Sequence, residues 1–309
     1  MKKNKIRKKH TIRNSILVIT ALILITFGVV GATFYQTTKV NVSKTYAPLK
    51  NTANKGKTNK DIKNQKTLTF LIMGLDSRQS DLTGRTDTMM VVTLNPKTKT
   101  TTMVSIPRDT LISTNKETAT AFNKINAAYV QGGVSSSISV VSNLVNINIE
   151  HYITMNFEGL KQLVDALGGI TVNSDMAFKI DGMNFYEGEN TISGKEALAY
   201  TRMRYDDPKG TYGRDRRQQE VIGAVLNKIK SPKSLTAYRE ILEALGGNVK
   251  TDLTWDQIKE ILLNYNKAFK NINHDSLQGE GEMINNLSFQ IISDSEKMRV
   301  HDLLQKQIN

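Results

Sequence analysis

From Thr67 onward the apolar positions fall into two alternating patterns. TLTFLIMGL (67–75), TDTMMVVTLN (86–95) and a third run over 100–106 that closes on Pro107 are short, apolar and β-branched, and bounded by turn residues. That is the signature of buried strands in one sheet. AFNKINAAYVQ, NFEGLKQLVDALGG, ISGKEALAYT, DRRQQEVIGAVLNKIK, TAYREILEALGG and TWDQIKEILLNYNKAF instead repeat apolar residues at helical spacing, and several are stopped by glycine. Strands and helices in alternation predict an α/β fold, a central mixed β-sheet with helices on both faces, over a single domain at 67–309. No internal repeat interrupts it.

Ahead of Thr67 the pattern differs. SILVITALILITFGVVGATFY, residues 15–35, carries no charge over 21 residues, enough to span a bilayer as one helix. The run is longer than the apolar region of a cleaved signal peptide and lacks a good cleavage site, so a retained transmembrane anchor is expected. Lys2, Lys3, Lys5, Arg7, Lys8, Lys9 and Arg13 precede it with no acid before residue 36. Positive-inside asymmetry then leaves 1–14 as a cytoplasmic tail and puts everything after 36 outside, in a single-pass type II cell-membrane protein. Residues 36–66 are lysine-rich and poor in apolar residues, and read as a flexible extracytoplasmic stalk.

Composition narrows the chemistry. The net charge of +13 owes seven positives to the N-terminal tail, so the remainder is unexceptional and no nucleic-acid partner is expected. With no cysteine, thiol nucleophiles and cysteine-ligated metals are excluded. His10, His151, His274 and His301 show no ligand or dyad spacing, and neither GxSxG nor a P-loop occurs.

Three polar clusters lie at strand ends. In GLDSRQSDLTGRTDTMMV, Asp76 follows one strand and Asp87 opens the next, so both carboxylates can share one sheet edge. Two such oxygens without histidine suit a hard cation, Mg2+ with Mn2+ as the alternative; each Asp is otherwise a turn residue. SIPRDT ends a strand on Arg108 and Asp109, with Arg85 and Arg78 near enough in sequence to join an anion site. RMRYDDPKGTYGRDRRQQE (202–220) holds five arginines. If its start is extended, Arg202 and Arg204 share a face. If a helix begins after Gly213, Arg214 and Gln218 share its first turns, and the helix N-terminus aims at the same anion. The alternative is a solvated face paired with Asp206, Asp207, Asp215 and Glu220.

FLIMGLDSR, GRTDTMMVVTLNP, VSIPRDT, KINAAYVQGG, FEGLKQLVDALGGITVN, ISGKEALAYTRMR and GRDRRQQEVI, in that order behind one anchor, resemble the LytR-CpsA-Psr (LCP) family over roughly residues 67–230. The resemblance implies an α/β/α fold with an apolar pocket for a polyprenyl chain. It implies an extracytoplasmic phosphotransferase that moves an anionic glycopolymer, wall teichoic acid or capsular polysaccharide, from a polyprenyl-pyrophosphate carrier to a peptidoglycan acceptor. It assigns the metal to Asp76 and Asp87, and the pyrophosphate to Arg108, Arg202, Arg204 and Gln218, with Arg214 a further functional arginine; Arg85, by its nearness in sequence, is a further pyrophosphate-binding candidate. Thr86 stands where the family often has serine. Asp109 and Asp206 are candidates for a general base. A metal-dependent lipid-pyrophosphate phosphohydrolase and a non-enzymatic transcriptional attenuator are the alternative functions. No motif marks 231–309.

Overall fold

The computed structural model describes residues 45–49, 59–77, 82–204, 206–229, 241 and 246–308. The predicted anchor at 15–35 and tail at 1–14, most of the predicted helix at TAYREILEALGG, and Arg78 lie outside them. Among the described residues no helix is long and apolar enough to cross a membrane.

The three predicted strands form β1 (Leu68–Leu75), β2 (Thr86–Asn95) and β3 (Thr100–Ser105). They pair antiparallel, Leu71 opposite Val91 and Val91 opposite Val104. β4 (His151–Asn156) joins β1 in parallel, and the short hairpin strands β5 (Ile170–Ser174), β6 (Phe178–Ile180), β7 (Met183–Phe185) and β8 (Gly188–Ile192) lie beyond it in sequence. β9 (Val249–Thr251) pairs antiparallel with β4, and β10 (Asn271–Ser276) pairs parallel with β3. The result is a six-stranded mixed sheet in the order β10-β3-β2-β1-β4-β9, followed by a hairpin of β11 (Glu280–Ile284) and β12 (Leu287–Ile291).

Alternation along the strands sends side chains to two cores. Leu71, Met73, Met89, Val91 and Val104 face one side, covered by α2 (Ala128–Val145) and α7 (Asp294–Ile308). Phe70, Ile72, Met90, Val92 and Leu94 face the other, toward α5 (Gly210–Ile229) and α6 (Trp255–Asn264). A third core lies under α3 (Phe157–Ala166) and α4 (Gly194–Arg202), where Leu163, Val164, Ala197 and Tyr200 pack with Val221. Burial of Leu71 or Met73 is complete, and truncating either to alanine costs about 2–5 kcal/mol.

Two sequence expectations need correcting. AFNKINAAYVQ is not one helix: two 3-10 turns, Ala121–Asn123 and Ile125–Ala127, flank an extended Lys124, and α2 starts at Ala128. It then continues through a kink at Gly132 and Gly133 across VSSSISVVSNLV, a β-branched and serine-rich stretch of poor intrinsic propensity. Ile138, Val141 and Val145 recur at helical spacing against the first core, and packing overrides propensity.

The 36–66 segment is likewise not all stalk. Residues 45–49 run beside β9, with the Ala47 N–H donating to Thr251 O at 2.8 Å and the Tyr152 hydroxyl donating to Ala47 O at 2.6 Å. α1 (Asn59–Lys63) buries Ile62 completely, and Tyr265 donates to the carbonyls of Ile62 and Lys66. One buried apolar residue and a few backbone acceptors suffice to dock segments whose composition reads as linker.

Candidate functional site

A cavity of about 860 Å3 lies between the second sheet face and helices α3 to α6. One end is polar, lined by Asp76, Asp87, Arg108, Arg202, Arg204, Arg214 and Gln218. The remainder is apolar, with Phe70, Ile72, Val92 and Leu94 from the sheet opposite Ile222, Leu226, Ile258 and Ile261 from the helices. A single helix face spans both parts: on α5, Arg214 and Gln218 at the polar end are followed by Val221, Ile222 and Val225.

The carboxylates are placed by the β1–β2 hairpin. The Asp76 N–H donates to Arg85 O at 3.2 Å and closes the connecting loop. Gly84, at φ +108°, passes so close that a Cβ would meet the Asp76 carbonyl at 3.2 Å. Gly74 pairs with Thr88 but Leu75 with Thr86, so Asp87 is the extra residue of a β-bulge, which turns its side chain into the cavity. Thr86 is buried, and its hydroxyl donates to Asn126 O at 3.4 Å.

Arg108 follows β3 in a turn fixed by Thr110, whose N–H and hydroxyl both donate to Pro107 O. Its Nη1 meets Asp87 Oδ1 at 2.9 Å, and its Nε lies 3.6 Å from Asp109 Oδ2. Asp109 in turn holds Lys124 Nζ at 2.8 Å. Burial lowers the Arg108 pKa, but the two carboxylates outweigh it and the net direction is upward.

The arginine-rich stretch divides its charges among three tasks. Arg202, Arg204 and Arg214 line the cavity. Arg216 pairs with Glu220 at 3.2 Å one helical turn away, on the exposed side. Arg217 is buried and donates to Asp207 and to Met203 O. Asp207 also accepts from the Lys209 N–H at 2.7 Å, so this buried pair pins the loop that separates Arg204 from Arg214.

Local geometry differs from expectation here. Arg202 is not on a strand with Arg204. It closes α4, whose start is fixed by a Ser193–Glu196 capping box, and the chain becomes extended only at Met203. The two side chains converge because the helix ends between them. α5 begins at Gly210, a turn earlier than Gly213 suggested, with the Gly210 N–H donating to Asp207 O at 2.9 Å. Arg85 is exposed and does not line the cavity; its contribution is the carbonyl that receives Asp76. Neither Asp109 nor Asp206 lines it either: the first is held by Lys124 and Arg108, and the second is exposed.

Asp215 escaped sequence reasoning as anything but a surface partner. It is 4% exposed, with Oδ1 lying 3.7 Å from Arg214 Nη2. Burial pushes its carboxyl up to about 6 against the opposing pull of Arg214, Arg108 and Arg204. Arg214 is lowered by burial and by Arg108 and Arg204 across the cavity. Burial is the larger of these effects on Arg214, and the neighbouring arginines add to it. The apolar half was also unreadable in detail, since Val249, Leu253, Ile258, Ile261 and Phe269 come from the C-terminal region in which no motif stands out.

Asp76 and Asp87 present oxygen ligands only, and among the described residues no group of three or more His, Cys, Asp or Glu could hold a metal. Two carboxylates at an anion site fit Mg2+, which retains waters and shares phosphate oxygens.

The fold is a mixed-sheet α/β domain whose cavity is apolar over most of its lining and carries arginines at one end. The chain belongs to the LytR_cpsA_psr family, whose model matches residues 32–306, well beyond the motif-bearing part. It is 39% identical over 297 residues to the polyisoprenyl-teichoic acid–peptidoglycan teichoic acid transferase TagU of Enterococcus faecalis, covering 94% of this chain and 96% of that one. The crystal structure of Bacillus subtilis TagU is similar with a TM-score of 0.63 and 36% identity, over 79% of this chain and 97% of that one. The structure of TagT bound to LI-WTA is similar with a TM-score of 0.65 and 25% identity, over 80% of this chain and 92% of that one.

Proposed function

We propose that this protein transfers an anionic glycopolymer, a teichoic acid as in the names of its relatives and in our reading wall teichoic acid, from a polyprenyl-pyrophosphate carrier to peptidoglycan. The observation that carries the reading is the two-part cavity: a pyrophosphate bearing a long hydrocarbon chain needs a cationic mouth and an apolar channel joined without a break.

In the reaction a hydroxyl of the acceptor sugar attacks the phosphorus that carries the glycopolymer. The bond from that phosphorus to the bridging anhydride oxygen breaks, polyprenyl phosphate leaves with the electron pair, and the hydroxyl proton passes to solvent or a base. The anhydride supplies the driving force, so no nucleotide is needed outside the membrane. Arg108, Arg202, Arg204 and Arg214 bind the two phosphates and neutralise charge on the departing one, and Gln218 adds a neutral donor. Asp76 and Asp87 would hold Mg2+, or Mn2+ in its place, which adds Lewis-acid neutralisation when bound. Fixed arginines keep the phosphates aligned while the acceptor approaches. The apolar run at 15–35 anchors the chain in the cell membrane with this domain outside, beside a carrier that cannot leave the bilayer.

The test is a full-length protein assay with a synthetic polyprenyl-pyrophosphate glycopolymer donor and a peptidoglycan oligomer, the product followed by mass spectrometry. Phosphodiester product that requires acceptor is expected. Release of polymer phosphate at the same rate without acceptor would make the protein a phosphohydrolase and overturn the reading.

A further inference from the structure

The end of the sheet remote from the arginines gathers cations of another kind. Lys60 and Lys63 lie on α1, Lys97 and Lys99 in the β2–β3 turn, and Lys267 and Lys270 just ahead of β10, all exposed. These segments share one rim: Leu68 pairs with Leu94, Asn271 pairs with Thr100, and the Asn271 side chain donates to Lys99 O at 3.1 Å. α1 packs on α6 through Ile62, and Lys63 is close enough to Asp256 to lower that carboxyl, after the larger effect of Lys259. Acids on the rim are few and engaged: Asp61 with Lys66 at 2.7 Å, Asp256 with Lys259 at 2.8 Å, and Glu260 with the Asn264 amide.

From this rim one large apolar side chain protrudes, Leu263 at the end of α6, 65% exposed. The neighbouring residues Ile261 and Leu262 turn inward and line the apolar end of the cavity, together with Leu94 and Phe269. Lysines around an exposed leucine, with a hydrocarbon-lined channel directly behind, match an interface of anionic headgroups over acyl chains. The chain path agrees. Residues 45–49 are fixed along β9, and only nine residues separate Thr45 from the end of the uncharged run at Tyr35. Nine residues reach at most about 30–35 Å, so with the run at 15–35 in the membrane, as in the preceding reading, the β9 edge, from which α6 follows, lies within that distance of the bilayer.

We propose that the α1–α6 rim is a docking surface for an anionic lipid bilayer, with Leu263 entering the headgroup layer and the surrounding lysines pairing with lipid phosphates. The proposal rests on the membrane-linked donor of the preceding reading for its purpose, since docking here sets the apolar end of the cavity against the lipid from which that donor is drawn. Anionic polymer is the competing occupant of a lysine rim. The leucine and the adjoining channel favour lipid.

With no cysteine in the chain, Leu263→Cys gives a single site for a nitroxide label. Met298→Cys, on α7 over the opposite sheet face and 63% exposed, gives the reference. Full-length protein is placed in phosphatidylglycerol and in phosphatidylcholine bilayers, and each label's collisions with oxygen and with a water-soluble nickel chelate are measured. In phosphatidylglycerol the label at 263 should lose about fivefold or more of its nickel-chelate collisions and gain oxygen collisions, while the label at 298 stays aqueous in both lipids. Lys60→Glu with Lys63→Glu should return the 263 label to water and leave transfer from a short, water-soluble donor unchanged. A 263 label as water-accessible as the 298 label in phosphatidylglycerol overturns the proposal. So does a 263 label immobilised by soluble poly(glycerol phosphate) in detergent and indifferent to bilayers. Absence of transfer from the short donor in unmodified protein would sink the transferase reading and leave the docking measurement standing.

Discussion

Arg214 and Val225 stand on the same face of α5, eleven residues and about 16 Å apart, and line different parts of one cavity. Around Arg214 the walls are strand ends, a bulge and the end of α4, where three of the arginines each lie against a carboxylate: Asp87 on Arg108, Asp181 on Arg202, Asp215 beside Arg214. Around Val225 the walls are strand middles and helix faces, where side chains are held by packing. Polar positions depend on individual hydrogen bonds and fail one at a time. Apolar positions are interchangeable so long as volume and hydrophobicity persist.

That contrast can be broken most strongly at Asp87. Asp87→Ala removes the partner of Arg108 and one of the two oxygen ligands proposed for the cation, and transfer should fall by at least about 100-fold. The unfolding midpoint in urea should scarcely move, because a part-exposed carboxylate at a cavity mouth does not hold the core together. Activity that persists in Asp87→Ala and in chelator alike would leave both acids as turn residues.

Arg202→Lys comes next. Lysine keeps the charge and loses the planar fork, so a pyrophosphate clamp should lose on the order of 2 kcal/mol, at least about tenfold in rate. Equal rates for the two proteins at matched folding would return Arg202 to its surface pairing with Asp181.

The apolar half should respond to chain length instead. In Ile222→Glu the apparent KM for a long-chain donor should rise about tenfold, since burying a carboxylate along the channel opposes hydrocarbon entry. With a two-isoprene donor the same protein should behave as wild type. If both donors suffer equally, the mutation has reached the polar mouth and the division of the cavity is wrong.

The smallest effect is one of pH. Burial holds the Asp215 carboxyl near 6, above the usual 3.8, so between those values the folded protein keeps a proton that the unfolded chain has lost, and stability falls as pH rises. His274 runs the other way: burial, then Arg216, pushes it down to about 4 from 6.5, and its contribution to stability grows as pH rises through that window. The two oppose each other between pH 4 and 6. Asp215→Asn should therefore gain on wild type as pH rises from 4 to 6.5, by on the order of 1–2 kcal/mol in urea unfolding. A difference that stays constant with pH would mean that Asp215 titrates normally.

The amino-acid pattern alone determined much of this protein. β1, β2 and β3 are readable because each strand is a compact apolar run between turn residues, and Asp76, Asp87 and Arg108 follow from their places at those strand ends. The amphipathic face of α5 is readable for the same reason, as periodicity is a local property of the chain. Tertiary structure decided the rest. Periodicity tells which residues share a face and not which surface that face meets, so three of five clustered arginines reached the cavity while Arg217 turned inward to Asp207 and Arg216 outward to Glu220. Docking of residues 45–49 on β9, the helix at VSSSISVVSNLV and the apolar wall from Val249 to Phe269 depend on contacts between segments far apart in sequence. Their weak local preferences are overruled by burial, which exists only once the sheet has formed.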